Sequence, residues 1–357
     1  MPLSVEEDKV TVIVGEHILG DDYPPLMVAE AGVNHNGDLS LALEMVEAAR
    51  EAGADAVKFQ SFRADKMAAE GLMEVKDVEG ITGGSKSSLE MYRRLELSEA
   101  DHHALVERCR DVGIVFLSTP FDPDSVDMLD ALGVQAFKIS SGDLTNLPLI
   151  QKAAQRGRPV FLSTGFSELV EVEEALRTVR ESGSADVLLL HCVGAYPPPD
   201  REVNLRAMTT LRRVFNTSVG LSDHSAGIEA PLGAVALGAA LIEKHFTLDN
   251  DLPGPDHKFS LNPRNFKRMV RAVQRVYTLL GSGDKVTADC EAAERHAGRK
   301  SLHAARPLKA GETLAEDMCI MLKPADGIMP RFLPKVLGRT VRRELAPGDP
   351  VKWDDLE

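Results

Sequence analysis

The 357-residue sequence predicts an α/β protein: a (β/α)8 TIM barrel followed by a small, strand-rich C-terminal domain. Two observations carry this. Eight short apolar runs alternate with segments of helical period almost to residue 280, and strand–helix pairs in that number imply parallel strands with crossover helices that close on themselves. From Gly298 the texture changes to short strand-like pieces with turns, RKSLHAARPLKAGETLAEDMCIMLKP and then GRTVRRELAPGDPV. A doubly wound open sheet is the alternative for the first part, but no glycine-rich dinucleotide fingerprint follows the first strand.

The elements follow in order. The opening KVTVIVGEHIL reads as a hairpin placed under the barrel. Buried parallel strands are expected at 26–29 (LMVA), 56–59 (AVKF), 115–118 (VFLS), 136–139 (AFKI), 159–163 (PVFLS), 187–191 (VLLLH), 218–222 (SVGLS) and 241–245 (LIEKH). Helices are expected at 38–52, 98–112, 122–132, 146–156, 167–182, 204–214, 228–238 and 263–280. In the first of these Leu39, Leu43, Val46 and Ala49 share a face, Asp38 caps the start and Gly53 ends it. Residues 60–97, with GITGGSKSS, form a long connection of the kind that serves as a lid or binding loop. The polar, charged stretch 281–297 reads as a linker. The expected divisions are therefore an N-terminal arm over 1–24, the barrel over 25–282, the linker over 283–297 and the small domain over 298–357.

Composition narrows the function. Hydrophobic residues make up 43% and charged residues 27%, ordinary for a globular protein. No run of 18 or more apolar residues is present, and the first ten residues are acidic and polar, so a membrane span and a signal peptide are not expected and a cytoplasmic address is. The net charge of −14 argues against nucleic-acid or anionic-membrane binding. Cys109, Cys192, Cys290 and Cys319 are scattered without a CxxC pair, as structural thiols are.

Side chains at the C-terminal ends of barrel strands converge on one mouth. Here those ends carry Glu30; Lys58 and Gln60; Ser118 and Thr119; Lys138, Ser140, Ser141 and Asp143; Ser163 and Thr164; His191 and Tyr196; Asp223 and His224; Glu243 and His245, with Asp256 beyond. A strand buried on both faces should be nearly all apolar, so each charge there needs a partner or a ligand. Taken singly, Lys58 or Lys138 is an ordinary snorkelling lysine, and Ser163 or Thr164 a helix cap. Two lysines at equivalent strand ends beside Ser/Thr-tipped strands form an anion site instead. His224 and His245 end neighbouring strands about 4.8 Å apart, close enough for both imidazoles to reach one ion. Two histidines with oxygen donors and open positions suit manganese, magnesium or cobalt (Mn2+, Mg2+ or Co2+) better than a closed structural zinc site. His35 and His191 are weaker candidates and stay outside the metal set.

The strings MVAEAGVNHNG, ADAVKFQ, FLSTPFD, FKISSGD, FLSTGF, LLHCVGAYPPP, GLSDHS and IEKHFT resemble the N-acetylneuraminate (sialic acid) synthase family, with its legionaminate and pseudaminate relatives, over residues 25–357. The tail RKSLHAARPLKAGETL resembles that family's antifreeze-like SAF domain. The resemblance implies that Lys58, Thr119, Lys138, Ser141 and Ser163 hold phosphoenolpyruvate and that His224 and His245 bind the metal. It places Glu30 near the metal and the reacting carbons, and Gln60, Asp143, Tyr196 and Asp256 around the sugar. Two positions depart from the pattern. Gly194 stands where a polar residue near the phosphate is usual, and Lys323 stands where the SAF arginine reaches the sugar; a lysine cannot reproduce the planar arginine fork.

The expected reaction joins phosphoenolpyruvate to N-acetylmannosamine or a related amino-sugar aldehyde, giving a nine-carbon nonulosonic acid and phosphate. Lys58 and Lys138 orient the donor and Glu30 handles a proton or positions water. A Schiff-base aldolase using Lys138 or Lys58 is one competing reading, and a non-catalytic carbohydrate-binding or ice-binding protein is another. A small domain of about 60 residues has a marginal core, and its linker spans about 50 Å when extended. With the resemblance, this leads to the expectation of a domain-swapped homodimer that places Lys323 near the partner's sugar.

Overall fold

The computed structural model describes residues 10–67, 87–183 and 186–357. It divides into two compact units, one ending at Gly281 and one running Ser282–Glu357. The first unit opens with an antiparallel hairpin of β1 (Val12–Val14) and β2 (His17–Leu19), Val12 facing Leu19. The barrel strands are β3 (Leu26–Gly32), β4 (Ala56–Ser61), β5 (Val115–Pro120), β6 (Phe137–Ile139), β7 (Val160–Ser163), β8 (Val187–Cys192), β9 (Ser218–Asp223) and β10 (Leu241–His245). The ladder runs β5-β4-β3-β10-β9-β8-β7-β6, every pairing parallel, and β5 and β6 stand side by side to complete a nearly closed barrel.

The helices are α1 (Leu39–Glu51), α2 (Ala64–Met67), α3 (Ser88–Leu95), α4 (Glu99–Val112), α5 (Pro123–Leu132), α6 (Leu147–Ala154), α7 (Leu169–Glu181), α8 (Arg206–Phe215), α9 (Glu229–Ala236) and α10 (Pro263–Leu280). Their starts follow local chemistry: the side chains of Asp38, Ser98, Asp122 and Asn262 accept from backbone N–H groups of the first turn. Helices α2 and α3 lie inside the stretch read as a long lid or binding loop. There Ser87 caps α3 by accepting from the Glu90 amide; most of the GITGGSKSS string lies outside the described residues. No helix among the described residues is long and apolar enough to cross a membrane.

Strand alternation splits the buried residues into two layers. Met27, Val57, Phe116, Phe137, Leu162, Leu189, Val219 and Ile242 point outward into the core shared with the helices. Leu26, Val28, Ala56, Leu117, Phe161, Leu188 and Leu241 point inward, and Val12, Val14 and Leu19 of the hairpin pack against them. The hairpin therefore seals the lower end of the barrel. Further along the same inward rows the strands turn polar or charged, except β8, which runs from Leu188 and Leu190 to Cys192.

The second unit has its own core, including Leu302, Leu308, Leu314, Ile328, Val341 and Val351. Its strands β11 (Ser301–Ala304) and β12 (Cys319–Leu322) pair antiparallel. The stretch read as a linker ends in a short exposed helix, α11 (Ala292–Gly298), whose AAERHA sequence is rich in helix formers; α12 (Leu333–Val336) lies further along the unit. Lys323 follows β12 and is exposed. The turn after it is held by Ser301, whose Oγ donates to the Pro324 carbonyl at 2.9 Å and accepts from the Gly327 amide at 3.0 Å.

Candidate active site

The inward rows fix which side chains share the upper chamber. Counting by twos from the apolar layer, β3 delivers Glu30, β4 Lys58 and Gln60, β5 Thr119, β6 Lys138, β7 Ser163, β8 Cys192, β9 Ser222, and β10 Glu243 and His245. All of these line one cavity of about 340 Å³, together with Ser141, Tyr196, His224 and Asp256 from the loops above. Of the first-unit residues given a catalytic, binding or metal role from sequence, Asp143 alone lies off this lining; Ser118, Thr164, His191 and Asp223, named only as strand-end residues, lie off it too. Asp143 accepts from Ser140 Oγ at 2.7 Å and from Asn146 Nδ2 at 3.1 Å, tying the turn after β6.

The floor is an ion-pair chain. Lys58 Nζ lies 2.7 Å from Glu30 Oε2 and 3.6 Å from Glu243 Oε1, and donates to Thr119 Oγ1 at 3.0 Å. Lys138 Nζ lies 3.0 Å from the same Glu243 oxygen, which also accepts from Ser222 Oγ at 3.1 Å. The register makes these contacts: Glu30 pairs beside Lys58, and Glu243 beside Ser222. A bulge between Glu30 and Gly32 re-aims the end of β3. Gly32 adopts φ 54°, and a Cβ there would stand 3.2 Å from Glu30 Oε1 and 3.4 Å from Gln60 Nε2, filling the space between them.

Four charges buried this deeply contribute little to stability, since desolvation offsets their attraction. Burial raises the Glu30 pKa, with Lys58 opposing it. Burial also disfavours the Lys138 ammonium, but Glu243 and Glu30 outweigh this and its pKa rises. Burial opposes ionisation of Glu243 too, yet Lys138 and Lys58 hold its carboxyl well below the usual range. Ser163 Oγ is buried among these groups without a hydrogen-bond partner, a group placed for a ligand.

The two histidines sit above. Their ring centroids are 5.3 Å apart. Desolvation lowers His224 to about 4 and takes His245 well below its usual value, so both rings are neutral. His224 donates from Nδ1 to the Val193 carbonyl at 2.9 Å, leaving the lone pair of its other nitrogen available. His245 Nδ1 is buried with no hydrogen-bond partner, and Asp256 Oδ2 stands 3.6 Å from it. Burial, and then Glu30, push Asp256 up to about 7. Tyr196 packs its ring on His224, with centroids 4.0 Å apart. Neutral, oriented imidazoles with unused lone pairs fit a divalent ion. Among the described residues no group of three or more His, Cys, Asp or Glu is placed to hold an ion by itself, so the two histidines would need donors from a ligand or water.

Other strand-end residues prove structural. Asp223 points outward to Lys244, 2.6 Å away, and His191 Nε2 meets the Val203 carbonyl at 2.7 Å. Sequence reasoning placed Glu243 at the mouth without giving it a role and passed over Cys192 and Ser222, although each lies two residues from another inward residue. It also missed Met91, Tyr92 and Leu95 of α3, which line the outer cavity wall.

The sequence matches the NeuB family over residues 45–285 and the SAF domain over residues 299–357. The chain belongs to the NeuB family. This NeuB-family chain is 42% identical over 342 residues to the N,N'-diacetyllegionaminic acid synthase of Legionella pneumophila, covering 95% of the chain and 96% of the relative. It is 33% identical over 334 residues to the pseudaminic acid synthase of Helicobacter pylori, covering 94% and 98%. The crystal structure of the N-acetylneuraminic acid (sialic acid) synthetase of Leptospira borgpetersenii in complex with citrate superposes with a TM-score of 0.73 at 35% identity, covering 80% of this chain and 95% of that one.

Proposed function

We propose that this NeuB-family enzyme condenses phosphoenolpyruvate with an open-chain amino-sugar aldehyde, N-acetylmannosamine or a diacetamido-trideoxyhexose, to give a nonulosonic acid and phosphate. One observation carries the assignment of roles: two buried lysines, an unpartnered Ser163 hydroxyl and two neutral histidines face one chamber that Glu30 and Glu243 complete. Named relatives across the family are synthases of such acids.

Lys58 and Lys138, with Thr119, Ser141 and Ser163, hold the carboxylate and phosphate of the donor and orient its double bond. Gln60, Tyr196 and Asp256 line the same chamber where the sugar binds, and Asp143 holds the turn after β6 that carries Ser141. Carbon three of the donor attacks the aldehyde carbon; water adds to the cationic carbon two, and the tetrahedral intermediate expels phosphate. Glu30, already raised by burial, positions that water or moves its proton. His224 and His245 would hold a divalent ion (Mn2+, Mg2+ or Co2+), which when bound supplies Lewis-acid polarisation of the aldehyde oxygen. The Schiff-base alternative needs a lysine with a lowered pKa; Lys138 is shifted the other way.

Oligomerisation completes the reading. The second unit of one chain covers the barrel of its partner in a two-fold dimer and presents Lys323 to the sugar, a closure that excludes water from a small polar substrate. Mass spectrometry of products from phosphoenolpyruvate with N-acetylmannosamine, a diacetamido-trideoxyhexose and mannose tests the function. A nonulosonic acid from none of the three would overturn it.

A further inference from the structure

Four non-glycine residues among those described adopt positive φ: Asn36, Asn204, Asn216 and Phe166. Asparagine tolerates that conformation through local hydrogen bonding; a bulky aromatic does not. Phe166, at φ 62°, is thus the outlier, and the residue is 74% exposed while lining the cavity rim. Strain of this kind persists where the surrounding structure enforces it, most often at functional sites.

What enforces it is visible on two neighbouring loops. A Cβ built on Gly194 would fall inside the Phe166 ring, so the ring occupies the space of a side chain at position 194. The preceding residue, Gly165, donates its amide to Ser141 Oγ at 3.0 Å. A Cβ on Gly165 would stand 2.7 Å from that oxygen and 3.4 Å from Cys192 Sγ. Phe166 therefore springs from the rim of the chamber's β6–β9 half. That half holds Lys138, Ser141, the unpartnered Ser163 hydroxyl and Ser222, whereas Glu30, Lys58, Gln60, Thr119 and Asp256 stand on the other.

We infer that Phe166, seated over Gly194, is a positioning residue for the phosphoryl-bearing donor: its ring roofs the lysine- and serine-lined half of the chamber and keeps water from the bound anion. A phenyl ring donates no hydrogen bond, so it acts through the groups beneath it. Excluding water lowers the local dielectric and strengthens the contacts of Lys138 and the serine hydroxyls to an anion. Gly194 is required because any side chain there displaces the ring. The inference rests on the proposed condensation, and its test separates the two.

Phosphoenolpyruvate is titrated calorimetrically into the full-length wild type and into Phe166→Ala, Phe166→Leu and Gly194→Ser variants, and KM is measured separately for the donor and the sugar. Phe166 is exposed, so the variants keep the fold, which circular dichroism checks. The inference expects Phe166→Ala and Gly194→Ser each to weaken donor binding about tenfold, corresponding to about 1.4 kcal/mol, with the sugar KM within about twofold of wild type. Phe166→Leu, which keeps apolar bulk, recovers most of the loss. A purely structural role would move both KM values together or neither. Donor affinity unchanged in Phe166→Ala, or a loss confined to the sugar, overturns the inference while the condensation stands. Wild-type protein that neither binds nor turns over phosphoenolpyruvate overturns the functional reading and this inference with it.

Discussion

Exchanging Glu243 for glutamine keeps the side-chain shape and removes one negative charge from the chamber floor. In the native site Glu243 Oε1 sits 3.0 Å from Lys138 Nζ and 3.6 Å from Lys58 Nζ. Lys58 retains Glu30 at 2.7 Å. Lys138 has no second carboxylate within ion-pair distance among the described residues. The substitution therefore leaves one buried ammonium without a carboxylate in ion-pair contact, with only the more distant Glu30 to offset its charge. Breaking a buried pair by removing one partner costs about 3–5 kcal/mol. The glutamine oxygen still accepts one hydrogen bond, so the lower end, about 3 kcal/mol, applies. At about 2–4 °C per kcal/mol for a unit of this size, the melting temperature without ligand falls by about 6–12 °C. The same bare ammonium is a stronger partner for an anion, so saturating phosphoenolpyruvate stabilises Glu243→Gln more than it stabilises wild type. Thermal unfolding followed with and without the ligand reads both effects. A variant melting within about 2 °C of wild type, or gaining no more from phosphoenolpyruvate than wild type gains, would refute the reasoning.

Four further outcomes are expected. Lys138→Ala loses one charge-assisted contact to the donor, weakening calorimetric affinity for phosphoenolpyruvate by about 1.5–3 kcal/mol; unchanged affinity places the anion elsewhere. His224→Ala lowers the manganese bound per chain after dialysis, measured by metal analysis, and chelation abolishes turnover of wild type; a variant that retains full metal content and activity speaks against the histidine pair. Asp256, raised from 3.8 to about 7 by burial and then Glu30, gives stability that is complete below the unfolded value and lost as pH rises through the folded one. Asp256→Asn without metal is accordingly more stable than wild type at about pH 8 and equal to it near pH 4, and parallel pH–stability curves in urea contradict that. Finally, a Lys138→Ala chain mixed with a chain ending near residue 283, each inactive by itself, regains activity if the second unit crosses to the partner's barrel; full activity of the shortened chain alone shows that the second unit, and Lys323 with it, is dispensable.

The barrel was legible because its eight strands are buried on both faces and so appear as continuous apolar runs, while Asp38, Ser98 and Asp122 announce their helices as caps. The charged strand ends were legible for the same reason, as exceptions to an apolar rule. Four features were not. Glu243 and Lys244 are adjacent charges, and only the period of two from His245 reveals that the first faces the chamber while the second turns outward to Asp223. Helix α3 is eight residues long, too short for periodicity to separate it from a glycine- and serine-rich loop. Asp143 follows a chamber strand, yet the turn bends its carboxyl back to Ser140 and Asn146; turn geometry of that kind leaves no trace in residue spacing. Nor does any sequence signal mark a phenylalanine held at positive φ.

The sealing hairpin has a consequence for how the chain is made. Val12, Val14 and Leu19 pack against residues drawn from strands as distant as Phe161, Leu188 and Leu241. These three are synthesised before the surface that receives them, which is unfinished until more than two hundred later residues have been made. The hairpin can therefore dock only after the strands that follow it have formed. Through most of translation its apolar face must wait unburied, so a chaperone or the ribosome surface has its best opportunity to bind at residues 12–19.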